Sequence, residues 1–207
     1  MGDLAIMKIA IPLSFEDYSM RLNAAYINYI IGAGFLPIPV PQDVDIVSKY
    51  AELCDGLLLP GGRDIDPMFY GEENVSSYGA DPDKDMFERS LFHEFRTRGK
   101  PTFGICRGLQ LISYEMLCFG GKGVNEIFSM QQHISGHDRN SLLKVDRSVP
   151  THFVHARPAI LYGSKEPGWA KQAVNSMHHQ GLQVDASEAR LRALGPIVPG
   201  VYITAFT

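Results

Sequence analysis

Residues 101–110 read Pro-Thr-Phe-Gly-Ile-Cys-Arg-Gly-Leu-Gln, and they contain the most informative local pattern of the chain. Its first half, 101–105, is a short apolar run that predicts a strand. The residues from 107 to 119 carry apolar side chains at helical spacing and predict a helix. Cys106 therefore lies on a sharp turn from strand to helix, between Gly104 and Gly108.

This turn has the pattern of a nucleophile elbow, because a reactive side chain there occupies a strained conformation that only small neighbours allow. The positive end of the helix dipole would favour the thiolate form of Cys106. The backbone N–H of Arg107, at the start of the helix, is available to help bind an oxyanion. The alternative is an inert cysteine buried between core elements, which the two flanking glycines disfavour.

Apolar strands and amphipathic helices alternate along the chain before and after this elbow. Strands are predicted at 8–13, 35–40, 56–59 and 101–105, and helices at 17–31, 44–54, 83–98 and 107–119. Alternation of this kind predicts an α/β fold with a mostly parallel sheet flanked by helices, and with sites at the carboxyl ends of strands. Further strands are expected at 142–145 and 201–206, and Asp81, Asp83 and Asp85 are expected to form a solvated start of their helix.

A second candidate site follows the strand at 56–59, where Leu59 is followed by Pro60, Gly61 and Gly62. Adjacent glycines after a buried strand leave amide N–H groups that can point at a developing negative charge. A Pro-Gly-Gly run is usually only a turn. Together with the cysteine elbow on a later strand, it becomes a candidate second half of an oxyanion hole.

The composition narrows the class of protein. The chain has 207 residues, 45% of them hydrophobic, which suits one domain spanning 1–207. A net charge of -4 makes nucleic acid an unfavourable partner. Three cysteines do not form a disulfide framework and favour a reducing compartment, so we expect a soluble cytoplasmic protein. No apolar run has the roughly 20 residues that a membrane span needs.

Three segments together resemble the gamma-glutamyl-gamma-aminobutyrate hydrolase family of class I glutamine amidotransferase-like proteins. They are Cys106-Arg107-Gly108-Leu109-Gln110, the run from Pro60 to Pro67 with Tyr70-Gly71-Glu72, and the run from Val174 to Gln180. The resemblance extends, with gaps, from Ile9 to about Ala205. It implies a flavodoxin-like fold with a nucleophile elbow, no metal or other cofactor, and a small-molecule gamma-glutamyl substrate, and it leaves a homodimer open.

The resemblance also implies roles for single residues. Cys106 would be the nucleophile, and the amides of Gly62 and Arg107 the oxyanion hole. Gln110 would hold the amino-carboxylate end of the glutamyl group. The opposite wall of the pocket would be formed by Ser176, His178 and His179.

Two further pairs of histidines, His133 with His137 and His152 with His155, have spacings that helices could use to bind a metal. Their surroundings are typical of loops, and neither carboxylate nor cysteine completes either set. We therefore expect no metal site.

One feature of the family is missing from these residues, namely a His-Pro-Glu run after a late strand that supplies the catalytic base. Three explanations are open: a chain cut short of its true end, a base from another chain, or a pseudoenzyme. We favour the first, because the elbow and both pocket walls are intact. Without that base, which is typically worth about 10²–10⁴-fold in rate, the 207-residue chain is expected to turn over gamma-glutamyl amides slowly or not at all.

The resulting hypothesis is a hydrolase of carbon-nitrogen bonds that acts on gamma-glutamyl amides through a gamma-glutamyl thioester on Cys106. Two alternatives use the same pocket: a binding or regulatory protein without turnover, and a glutaminase subunit that delivers ammonia to a synthetase. The hydrophilic Arg107 disfavours the last, because synthetase domains typically carry a hydrophobic or aromatic residue there.

Overall fold

The computed structural model describes residues 6–119, 128–133, 138–146, 148–156, 170–175, 178 and 180–184. These residues fall into two compact units, one within 6–119 and one from 128 onward. The prediction of a single domain over 1–207 stays a prediction. Within the described part of the chain, no helix is both long enough and apolar enough to cross a membrane.

The first unit is built on a parallel sheet. Its strands lie in the order β4–β1–β5–β6, with β1 at Lys8–Pro12, β4 at Leu36–Val40, β5 at Gly56–Leu59 and β6 at Thr102–Gly104. Between them run the helices α1 at Ala24–Gly32, α2 at Val47–Leu53, α3 at Pro82–Thr97 and α4 at Arg107–Phe119. Counting only these parallel strands, the order is 2-1-3-4, which is the flavodoxin-like order.

Both faces of this sheet are covered by helices. Ile9, Ile11 and Leu58 point to one face, where they pack with Ile30 of α1 in one apolar cluster. The alternate residues of the strands, among them Leu57 and Leu59, point to the other face, and there α3 contacts β5 and α2 contacts α3. The predicted α/β fold with a parallel sheet flanked by helices is confirmed.

The predicted helix at 17–31 is wrong in its first half. A short hairpin lies there instead, with β2 at Ser14–Glu16 and β3 at Ser19–Arg21. Asp17 and Tyr18 form its turn with φ values of 48° and 61°, a left-handed conformation that interrupts a helix. Helix α1 begins after Asn23, whose side chain accepts a hydrogen bond from the N–H of Ala25 at 2.9 Å. The asparagine cap therefore sets the start of the helix.

The second unit contains two antiparallel pairs. Strand β7 (Phe128–Gln131) pairs with β10 (Gly181–Val184), and β8 (His152–Ala156) pairs with β9 (Ala170–Val174). The predicted strand at 142–145 is wrong, because a helical turn, α5 (Arg139–Leu142), ends at its first residue and the chain then turns at Lys144, whose φ is 53°. Buried Asn140 donates hydrogen bonds to two loop carbonyls, those of Asp146 and Val149, and so holds the chain in a loop. The predicted strand at 201–206 lies outside the described residues.

Candidate active site

Cys106 lies on the tight turn between β6 and α4, as the sequence pattern predicts. Its backbone has a φ of 53°, which is rare for a residue with a side chain, and its thiol is exposed. The amide of Gln110 donates to the carbonyl of Cys106 at 3.1 Å, so the turn leads directly into the first turn of the helix. Strained backbone of this kind clusters at functional sites.

The two glycines of the elbow are required by close backbone contacts. A Cβ atom on Gly104 would lie 2.5 Å from the backbone of Gly108 and Leu109. A Cβ atom on Gly108 would lie 2.2 Å from the carbonyl oxygen of Leu59, on the neighbouring strand β5. Neither position has room for a side chain, because the atoms in the way belong to the backbone. The pattern Gly-x-Cys-x-Gly therefore follows from how closely α4 approaches the sheet.

The Pro60-Gly61-Gly62 loop lies next to the elbow. Strands β5 and β6 are neighbours in the sheet, with Leu59 in register with Gly104, so both loops leave the same edge. A Cβ atom on Gly61 would be 3.4 Å from the Cβ of Cys106, and one on Gly62 would be 3.5 Å from the Cδ of Arg107. The tertiary structure thus brings together the two glycine motifs that the sequence separates by about 40 residues.

The amide groups of this loop differ in their partners. The N–H of Gly61 donates to the phenol oxygen of Tyr26 at 2.9 Å and is therefore occupied. Within the described residues, the backbone N–H groups of Gly62 and Arg107 donate no hydrogen bond. Tyr26, on α1, orients the loop from the other side, and nothing in the sequence around it marks this role.

A buried cluster of four charges lies behind the elbow; we call it the charge cluster, and it consists of Lys84, Asp85 and Glu88 from α3 with Arg107 from α4. The guanidinium of Arg107 forms ion pairs with both Asp85 and Glu88. Both carboxylates are fully buried, and the N–H of Asp66 donates to Asp85 at 2.8 Å. The cluster therefore ties α3 and the end of the Pro60–Pro67 loop to the residue that follows Cys106.

The charges of the cluster influence one another. Burial by itself would lower the pKa of Arg107, but the negative charges of Glu88 and Asp85 outweigh it and raise that pKa, so the guanidinium stays charged. Burial is also the largest influence on the pKa of Lys84. Together with the positive charge of Arg107 it lowers this pKa, and the negative charge of Glu88 opposes the shift.

The expected solvated start of this helix is correct for Asp83, which is exposed, and wrong for Asp85, which is buried. Asp81, which is half-buried, instead caps the helix by accepting a hydrogen bond from the N–H of Lys84 at 3.1 Å. The charge cluster was missed because charged residues early in a helix usually face water. Its signal in the sequence is that Asp85 and Glu88 stand at helical spacing with the apolar residues Leu91, Phe92 and Phe95.

The remaining predicted site residues are described in part. Gln110 is buried and lies one helical turn beyond Cys106 on α4. His178 is half-buried in the second unit, with its Nδ1 atom 2.7 Å from the carbonyl oxygen of Gln180. Ser176 and His179 lie outside the described residues. The first unit therefore brings Cys106, Gly62, Arg107 and Gln110 together, and the roles of all seven predicted site residues remain predictions.

The histidines that the sequence pairs at metal-like spacings include His152, at the start of β8. Burial, together with the positive charges of Arg139 and His178, lowers the pKa of His152 below its ordinary value. Among the described residues, no three His, Cys, Asp or Glu side chains are grouped so that they could hold a metal ion.

Known proteins share sequence similarity with most of this chain. The sequence pattern of the peptidase C26 family matches residues 11–198. The chain is 31% identical to the gamma-glutamyl-gamma-aminobutyrate hydrolase PuuD of Escherichia coli K12 over 183 residues, which are 86% of this chain and 70% of that protein. It is 29% identical to the protein NtpR of Enterococcus hirae over 180 residues, covering 85% of this chain and 72% of the relative.

Among solved structures, the glutaminase domain of Trypanosoma brucei CTPS with bound acivicin is similar over 91% of this chain and 72% of that domain, with a TM-score of 0.47 and 15% identity. The family match covers most of the chain, and the identity to PuuD extends over most of both proteins. The chain therefore belongs to the peptidase C26 family of glutamine amidotransferase-like hydrolases.

Proposed function

We propose that the protein hydrolyses gamma-glutamyl amides with Cys106 as nucleophile. The thiolate attacks the gamma-carbonyl carbon, forming a C–S bond, and the carbonyl electron pair moves to oxygen. Collapse of this tetrahedral species breaks the C–N bond, and the departing amine takes up a proton. Water then attacks the gamma-glutamyl thioester and releases glutamate, which restores the thiol.

The developing oxyanion is assigned to the backbone N–H groups of Gly62 and Arg107. The support is that both residues adjoin Cys106 and that neither amide donates a hydrogen bond within the described part of the chain. Donors that point at developing charge without needing to reorganise lower the barrier most, and the loss of one such donor typically costs about 10²–10³-fold in kcat. The occupied amide of Gly61 is not assigned this role.

The observation that carries the proposal is the exposed thiol of Cys106 on a left-handed turn beside the Pro-Gly-Gly loop. The substrate class comes from the relatives, since PuuD is a gamma-glutamyl-gamma-aminobutyrate hydrolase and shares 31% identity with this chain. We assign Gln110, Ser176, His178 and His179 to binding of the glutamyl group on the same basis.

The first test compares the reactivity of the two cysteines that the structure describes. Cys106 is exposed, whereas Cys54 is buried, and burial together with the negative charge of Asp55 raises the pKa of the Cys54 thiol. Brief treatment with iodoacetamide, followed by peptide mass spectrometry, should therefore label Cys106 first. Faster labelling of Cys54 in the folded protein would contradict the assignment of the nucleophile.

The second test uses a glutamine-like diazo-ketone, which alkylates a nucleophile only when the glutamyl part is bound beside it. The wild-type protein should be modified at Cys106, and Gln110→Ala should slow this capture by about tenfold, the loss expected from one specific hydrogen-bonding contact. Ser113→Ala, a buried change on the same helix, is the matched control and should leave capture unchanged. Protein that resists millimolar reagent while reacting normally with iodoacetamide would refute the glutamyl pocket.

A further inference from the structure

Lys84 is a buried lysine on α3 whose ammonium group lies beside the Pro60-Gly61-Gly62 loop. The residue is 6% exposed, and its Nζ atom donates to the hydroxyl oxygen of Ser14, just beyond β1, at 2.6 Å. Its distance to the nearest oxygen of Glu88 is 3.8 Å, which is long for a hydrogen-bonded ion pair. The closest polar contact of this charge is therefore a hydroxyl and not a carboxylate.

The same ammonium group packs against the loop that we assign to the oxyanion hole. A Cβ atom on Gly62 would lie 3.1 Å from the Nζ of Lys84. The charge thus sits between Ser14 at the start of β2 and the loop after β5, both of which follow the same edge of the sheet. A side chain in this place is suited to set the distance between the Gly62 amide and the elbow.

Neutralisation of the buried carboxylates explains only part of this location. Arg107 already forms the close ion pairs with Asp85 and Glu88. The Nζ of Lys84 lies 3.8 Å from Oε1 of Glu88, which accepts no hydrogen bond within the described residues, so it balances this charge from beyond hydrogen-bond distance. Its hydrogen bond to Ser14 holds it at the loop.

We propose that Lys84 is a positioning residue, anchored by Ser14, which holds the Gly62 amide where it can bind the oxyanion formed on attack by Cys106. The proposal rests on the proposed function. It makes Lys84 necessary for steps that build charge on a carbonyl oxygen, and unnecessary for attack on carbon atoms that have no such oxygen. A misplacement of about 1 Å in such a donor can cost on the order of 10²-fold in rate.

The test compares two reactions of the same thiol. The first is acylation by the p-nitrophenyl gamma-ester of glutamate, in which the C–S bond forms, the C–O bond breaks, and p-nitrophenolate leaves with the electron pair without needing a proton. The second is alkylation by iodoacetamide, which displaces iodide from a saturated carbon and uses no oxyanion hole. Burst release of p-nitrophenolate measures the first, and Cys106→Ser is the blank.

Lys84→Met keeps the length of the side chain and removes its charge and its hydrogen bond. We expect acylation to fall by about 10- to 100-fold, while alkylation of Cys106 stays within about twofold. Ser14→Ala leaves every charge in place and should slow acylation by a smaller factor in the same direction. Lys84→Arg, which can still donate to Ser14, should retain most of the wild-type acylation rate.

The control is Lys100→Met, at the opposite end of β6 from the elbow. Lys100 is likewise anchored, with its Nζ donating to the carbonyl oxygens of Ala51 and Cys54 at 2.6 and 2.7 Å. This variant should lose stability without any change in the ratio of acylation to alkylation. If Lys84→Met proves too unstable to assay, the double variant Lys84→Met with Glu88→Gln removes the uncompensated charge and answers the same question.

The outcomes separate this inference from the function on which it rests. A wild-type protein that is alkylated but never acylated contradicts the proposed function. A wild-type protein that is acylated, together with a Lys84→Met or double variant acylated equally fast, overturns only the role of Lys84. Acylation and alkylation that fall together in the Lys84 and Ser14 variants would also overturn it, since that result indicates a damaged elbow.

Discussion

Replacing Arg107 by methionine should reveal how strongly the charge cluster stabilises the first unit. The change leaves a side chain of similar length and removes the cation that pairs with Asp85 and Glu88, both of which are 0% exposed. Lys84 cannot replace it, because its Nζ is 3.8 Å from Glu88 and hydrogen-bonded to Ser14. Asp85 would then be a buried carboxylate without a cationic partner.

The size of the loss follows from this burial. Removing one partner of a buried ion pair typically costs about 3–5 kcal/mol, because the remaining charge keeps its full desolvation penalty. Domains of this kind are typically stable by about 5–15 kcal/mol, so the variant should remain folded with a much reduced margin. With a urea m-value of about 2 kcal/mol per molar, the midpoint of unfolding should fall by about 1.5–2.5 M.

The assay is urea denaturation at pH 7, followed by circular dichroism, with two comparison proteins. Arg98→Met removes an arginine that pairs with Glu94 at 2.7 Å in a solvent-exposed position, where such pairs contribute little. The double variant Arg107→Met, Asp85→Asn removes one charge of each sign, leaves Lys84 to balance Glu88, and should recover most of the lost stability. If Arg107→Met lowers the midpoint no more than Arg98→Met does, the charge cluster does not stabilise the fold as argued.

Other residues lead to predictions that simple measurements can check. Gly108→Ala places a Cβ atom 2.2 Å from the Leu59 carbonyl oxygen and should lower the free energy of unfolding in urea by at least about 2 kcal/mol. Gly32→Ala, at the end of α1, meets nothing within 4 Å and should be neutral or slightly stabilising. Equal effects of the two changes would refute the steric argument. Lys100→Met, which removes hydrogen bonds to the end of α2, should cost about 1–3 kcal/mol, and unchanged stability would show that water replaces them. The pKa of His152 is lowered in the folded state, so the stability that this residue contributes is complete above its unfolded pKa of about 6.5 and is lost as the pH falls through its folded pKa. The wild type should therefore lose more stability than His152→Gln between pH 7 and pH 5. Parallel profiles of stability against pH for the two proteins would contradict this.

The local pattern was sufficient for the elbow and, apart from the hairpin at 14–21, for the alternating strands and helices of residues 8–119. Apolar strands followed by amphipathic helices predicted the parallel sheet, because strand and helix periodicities differ even in isolated segments. The run Gly104 to Gly108 predicted the turn that carries Cys106, since a tight strand-to-helix turn needs glycine wherever backbones touch. What this pattern missed is equally local: the cap at Asn23 and the left-handed turn at Asp17 and Tyr18 shortened a predicted helix.

The groups that surround the thiol are brought there by contacts between distant parts of the chain. The sequence separates Gly61 from Cys106 by more than 40 residues, and their contact exists because β5 and β6 are neighbours in the sheet. Helical spacing places Asp85, unlike Asp83, on the side of Phe92, but it does not show that Arg107 pairs with Asp85 in the interior. A charge becomes buried when a partner from a distant segment offsets its desolvation, and the sequence of one helix does not contain that partner.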